Sequence, residues 1–130
     1  MGWLAAGERQ LDGACGEGFL QGILLSEISA PRYTLATERR IVMCDDVERD
    51  RRGNVQVRHI SLEVPWSRVC AYWVGVMPFP PDMWRLGHEG RVVMFTLEPE
   101  VAGGRDIVVC PNEDAWTAAA QAMGVPQLVD

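Results

Sequence analysis

The run Tyr33-Thr-Leu-Ala-Thr-Glu-Arg-Arg-Ile-Val42 reads as a strand, a polar turn and the start of a second strand, with Thr37 to Arg40 at the corner. Branched and bulky residues flank the polar corner, so extended backbone is favoured on both sides and a helix is not. A chain that reverses this sharply between two strands builds antiparallel sheet.

Further stretches extend the pattern. Gly18 to Ile28 is apolar without a helical stripe and is stopped by Ser29-Ala-Pro31, which predicts a strand after a polar opening. Tyr33 to Ala36 and Arg40 to Cys44 are the next two strands, and Asp45 to Val55 reads as a charged loop with Arg52-Gly-Asn54 as its turn. From His59 to Val64 the chain alternates, placing Ile60, Leu62 and Val64 on one face and His59, Ser61 and Glu63 on the other. Pro65 interrupts it, and Val69 to Val76 resumes as a strand apolar enough to be buried on both faces. Arg91 to Leu97 and Asp106 to Cys110 follow, joined through Gly103-Gly104, which tolerate positive φ. The last element is helical. Asn112 is a suitable N-cap, Glu113 and Asp114 suit the positive end of a helix dipole, and Trp116, Ala119, Ala120 and Met123 recur at helical spacing. Gly124 closes that helix and Pro126 prevents its continuation.

About seven strands and one terminal helix suit a single domain over residues 1–130, with its core in residues 4–124 and a short tail at 125–130. The composition, 48% apolar and 23% charged, is that of a folded globular chain. No stretch approaches the roughly 18 apolar residues of a membrane-spanning helix. The first ten residues lack the basic lead and apolar run of a secretory signal, so a cytoplasmic protein is expected. Cys15, Cys44, Cys70 and Cys110 are scattered, without a Cys-x-x-Cys pair or a histidine at metal-ligand spacing, and read as free thiols. Every one of the 12 basic residues is arginine, a bias of GC-rich bacterial coding. Residues 39–58 carry six arginines against four acids, while the rest of the chain is acidic enough to bring the net charge to −6. Such an acidic body argues against nucleic acid as a partner.

A sheet of this size must cover or close its edges, and curling into a partly open barrel with the helix over one mouth does both. Thr37-Glu-Arg-Arg-Ile-Val42 resembles the Leu-Thr-x-x-Arg-Leu-Ile signature of bacterial pleckstrin-homology-like (PH-like) domains, with Ala36 at the usual leucine. Leu4-Ala-Ala-Gly-Glu8 is similar to the Leu-x-x-Gly-Glu opening that often precedes that signature. Ile60-Ser-Leu-Glu-Val-Pro-Trp-Ser-Arg-Val69 resembles the strand and turn that precede the family's middle strand. The resemblance covers about residues 4–124 and implies a PH-like, partly open antiparallel barrel capped by a helix. Within it, Thr37 is expected to bond the turn backbone, Ile41 to enter the core, and the arginines to keep an exposed corner soluble. The connection Met77 to Gly90 is longer than the family's usual hairpin.

No Gly-x-Ser-x-Gly, Walker A or His-Glu-x-x-His pattern occurs, so no catalytic residue, cofactor or metal is assigned. Three binding readings follow. In the first, a protein or peptide, or a second copy of the chain, docks on the 77–90 connection and a neighbouring sheet edge, with Phe79, Met83, Trp84, Arg85 and Leu86 as anchors. In the second, Arg49, Arg51 and Arg52 in the 45–58 segment hold an anionic lipid or phosphate at a membrane surface. In the third, an open barrel mouth holds a small molecule, as a carrier or small enzyme, with Tyr33, Tyr72, Trp73 or His88 as polar handles.

Overall fold

A computed structural model of the chain describes residues 4–22, 32–52, 55–78, 89–110 and 112–129. Its strands are β1 (Gln10–Gln21), β2 (Arg32–Thr37), β3 (Arg40–Arg49), β4 (Val55–Pro65), β5 (Val69–Pro78), β6 (Glu89–Leu97) and β7 (Asp106–Cys110). A 3-10 turn, Trp66–Arg68, links β4 to β5, and a helix, α1 (Glu113–Ala122), follows β7. The strands form one sheet in the order β4-β3-β2-β1-β7-β6-β5, antiparallel at every contact. β4 and β5 stand at its two ends, so the sheet is open between them. The expected architecture, a mainly β, partly open antiparallel sheet of seven strands with one C-terminal helix, is the one observed.

The sheet curls so that one face of each half buries its apolar side chains against the other. Ala36, Ile41, Met43 and Val64 from one half meet Tyr72, Val93, Phe95, Ile107 and Val109 from the other in a single core. α1 packs against β1, β5, β6 and β7 and drives Trp116, Ala119 and Ala120 into that core. Phe95 lies edge-on between Trp66 and Trp116, at ring distances of 5.8 and 5.7 Å. The opposite face is apolar too: Phe19, Val92 and Val108 are buried there, as are Leu35, Val42 and Cys44.

Four expectations about the strands need correction. β1 starts at Gln10 rather than Gly18, because Gly13, at φ 73°, sits in an irregularity between Gln10 and Cys15 that hides the alternation. Of the stretch expected as a charged loop, residues 45–49 continue β3 and pair with β4, with Asp45, Asp46 and Glu48 exposed and Val47 partly buried. In β4 the faces do not stay constant: Met43 pairs with Leu62 and Cys44 with Ile60, so Ser61 is an extra residue in the ladder. Leu62 and Val64 therefore join the core, whereas Ile60 packs with Cys44 on the opposite face. Finally, β5 is not buried on both faces, since Cys70 is exposed and Val76 is half-exposed.

Asn112 precedes α1 but does not cap it through its side chain. It adopts φ 69°, and its Nδ2 instead donates to the Cys15 carbonyl at 2.8 Å, tying the helix start to β1. The other end is as expected. Gly124 at φ 74° donates to the Gln121 carbonyl and Val125 to the Ala120 carbonyl, a Schellman closure that buries Val125.

Candidate functional site

The corner at Thr37 is a polar knot. The Thr37 hydroxyl donates to Glu8 Oε2 at 2.6 Å and accepts from the backbone N–H groups of Arg39 and Arg40, each at 3.1 Å. Arg40 meets Glu8 with both ends of its fork, Nε to Oε2 and Nη2 to Oε1, each at 2.9 Å, and reaches Glu63 with Nη1 at 2.8 Å. The Glu8 side chain is 0% exposed. Hydrogen bonds from Arg40 hold its carboxyl at about 2 against a burial effect of opposite sign, helped by Thr37 and the Ala5 N–H. The expected Thr37 turn bond is present and Ile41 is in the core, but Arg40 does not serve to solubilise an exposed corner. It is the partner of a buried carboxylate. A shallow depression of about 290 Å³ lies beside the knot, lined by Ala5, Glu8, Arg39, Arg40, Glu63 and Pro65. Sequence reasoning noted the Leu-x-x-Gly-Glu and Thr-x-x-Arg elements separately and missed that they meet. The signal was the pairing of an acid in one with an arginine in the other.

At the far end of the β3–β4 hairpin, charges pair across the ladder. Arg58 donates to Glu48 at 2.6 Å, and His59 meets Asp45, whose carboxyl it holds below the usual range. Asp50 accepts from the Arg52 backbone N–H at 2.8 Å, which shapes the turn. Arg51 and Arg52 are exposed at that turn, and Arg49 ends β3 opposite Val55.

The edge of β5 away from β6 carries a different arrangement. Beyond the Schellman turn the chain runs as an extended strap, residues 125–129, parallel to β5 with Gln127 opposite Tyr72. The Tyr72 N–H donates to the Pro126 carbonyl at 3.0 Å and the Leu128 N–H to the Tyr72 carbonyl at 2.7 Å. The buried Tyr72 ring points inward, where its hydroxyl accepts from Gln121 Nε2 and donates to Gln127 Oε1. Trp73 faces the other side, with its indole laid along the strand over Gly75; a Cβ there would stand 2.2 Å from that ring. Val76 (50% exposed), Leu128 (49%) and Val129 (84%) are three of the four exposed large hydrophobic side chains among the described residues. All three belong to β5 or the strap beside it.

The residues proposed from sequence are not all in view. Phe79, Met83, Trp84, Arg85 and Leu86, with His88, lie outside the described residues, but β5 leads directly into their segment. Tyr33, Tyr72 and Trp73 do not face one common space: Tyr72 belongs to the core, while Tyr33 and Trp73 pack on the opposite face. Among the described residues no group of three or more His, Cys, Asp or Glu gathers to hold a metal ion. None of their helices is long and apolar enough to cross a membrane. All four cysteines are free, Cys44 being buried with its thiol pushed up to about 11 by desolvation.

No protein-family model and no curated protein matches the chain.

Proposed function

We propose that this chain is a non-catalytic binding module of the bacterial PH-like type that captures a protein or peptide at the β5 end of its open sheet. The observation that supports this reading is the strap. The edge of β5 accepts an extended segment through main-chain hydrogen bonds at Tyr72, which is the chemistry of strand addition. Exposed Val76, Leu128 and Val129 gather at the same edge, where apolar side chains need a partner to leave water. The segment after Pro78 supplies the aromatic anchors Phe79 and Trp84, and an arginine, Arg85, beside that edge in sequence.

The test is affinity capture from the native host on the immobilised full chain, followed by mass spectrometry to identify what is retained. The combined substitution Phe79→Ala and Trp84→Ala, or Val76→Asp alone, is expected to reduce recovery of the retained protein at least tenfold with an unchanged circular dichroism spectrum. Equal recovery by the folded variants would refute this surface.

A further inference from the structure

The strap is a segment that folds back onto its own sheet through one turn. That turn depends on Gly124, which holds φ 74° with nothing within 4 Å of the position its Cβ would take. Glycine is therefore required there for conformation and not for space. Past the turn, the strap holds β5 by the pair of hydrogen bonds at Tyr72 and by buried Val125, while Leu128 and Val129 remain exposed, as does Val76 further along β5. The closed chain thus leaves apolar surface on both the strap and the strand that receives it.

We propose that the strap is exchanged between two copies of this chain, each laying its residues 125–129 on β5 of the other. The inference rests on the reading of β5 as an edge that accepts an extended segment, and it names a second copy as the donor. The argument is one of fit. Residues 125–129 already match this edge in direction, register and side-chain contacts, and an identical segment from a second copy matches it equally. Straightening at Gly124 gives up the two turn bonds to Gln121 and Ala120 and retains every strap contact with β5. In return the crossing segments of the two copies lie against one another, where Leu128 and Val129 are the exposed apolar side chains available to the new contact. The β4 edge offers no such site. Its ladder with β3 is irregular at three places, and it presents Arg58, His59 and Glu63 to solvent.

The turn predicts an unusual response. Replacing Gly124 by alanine strains only the closed form, because a left-handed conformation disfavours any L side chain. The expected result for Gly124→Ala is a dimer dissociation constant tighter by about tenfold for each of the two hinges, measured by light scattering across a concentration series. Leu128→Pro removes the N–H that bonds the Tyr72 carbonyl and is expected to leave the chain monomeric and folded. The exchange is overturned if wild type and Gly124→Ala both stay monomeric up to about 1 mM. It is equally overturned if a dimer persists unchanged in Leu128→Pro. A monomeric chain that still captures a host protein through Val76, Phe79 and Trp84 removes the exchange and leaves the binding module standing.

Discussion

Protonating Glu8 should dismantle the corner that joins the start of β1 to the β2–β3 turn. In the folded chain its carboxyl titrates at about 2 instead of the ordinary 4.5, so it binds its proton more weakly than in the unfolded chain. The stabilisation is complete above pH 4.5 and is lost as the pH falls from there towards 2. A displacement of about 2.5 pH units at about 1.4 kcal/mol each comes to between about 3 and 4 kcal/mol. For a chain of this size that is roughly 10 °C in Tm.

The assay is urea denaturation of wild type and Glu8→Gln at intervals between pH 7 and pH 2. At neutral pH the variant should be less stable by about 3 kcal/mol, since glutamine cannot hold both ends of the Arg40 fork and leaves a mostly buried cation one partner short. Between pH 4.5 and 2 the wild-type curve should fall towards that of the variant, which has no proton to gain at this position. Asp106, whose carboxyl burial pushes up, gains on protonation in both proteins, so the difference between the two curves carries the test. Parallel curves across this window would refute the assignment of the acid sensitivity to Glu8.

Two further outcomes follow from the core. Trp66 donates its indole N–H to the Thr37 carbonyl at 2.7 Å, whereas the buried Trp116 N–H has no partner among the described residues, so Trp66→Phe should cost about 1 kcal/mol more than Trp116→Phe in the same denaturation assay. In a timed reaction of the native protein with a thiol reagent, exposed Cys70 should react first and Cys44, buried and with its thiol held protonated to about pH 11, last; a fast Cys44 would contradict its burial.

How far the fold could be read from residues depended on which side chains meet water. β6 and β7 were legible because Val92, Val93, Phe95, Ile107, Val108 and Val109 are buried on both faces and form unbroken apolar runs. α1 was legible because Trp116, Ala119 and Ala120 keep helical spacing. The outer half of the β3–β4 hairpin was harder to read, because Asp45, Asp46, Arg58 and His59 are all exposed and only the partly buried Val47 and Val57 pack there, against the opposite-face cluster. The switch of faces at Ser61 was equally hidden. Ile60 and Leu62 are two residues apart and both apolar, and only the pairing of Cys44 and Met43 shows that they serve different sides. The Glu8–Arg40 pair lies 32 residues apart in sequence, beyond the reach of any local pattern.

The strap was legible only as a stop signal. Gly124 and Pro126 mark the end of a helix, but whether the following residues trail into solvent or return to the sheet depends on whether an edge is open beside them. Here the sheet order leaves β5 open, and from Ala71 to Pro78 its ladder with β6 is regular and carries no charged residue on the β5 side. An edge of that kind invites pairing, while the bulged and charged β4 edge resists it. The strap pairs with β5 at Tyr72 and leaves Val76 half-exposed further along the same strand. Strand order, the Gly124 turn and the exposed valines therefore converge on one end of the sheet, the end from which the chain departs into the aromatic and proline-rich segment after Pro78.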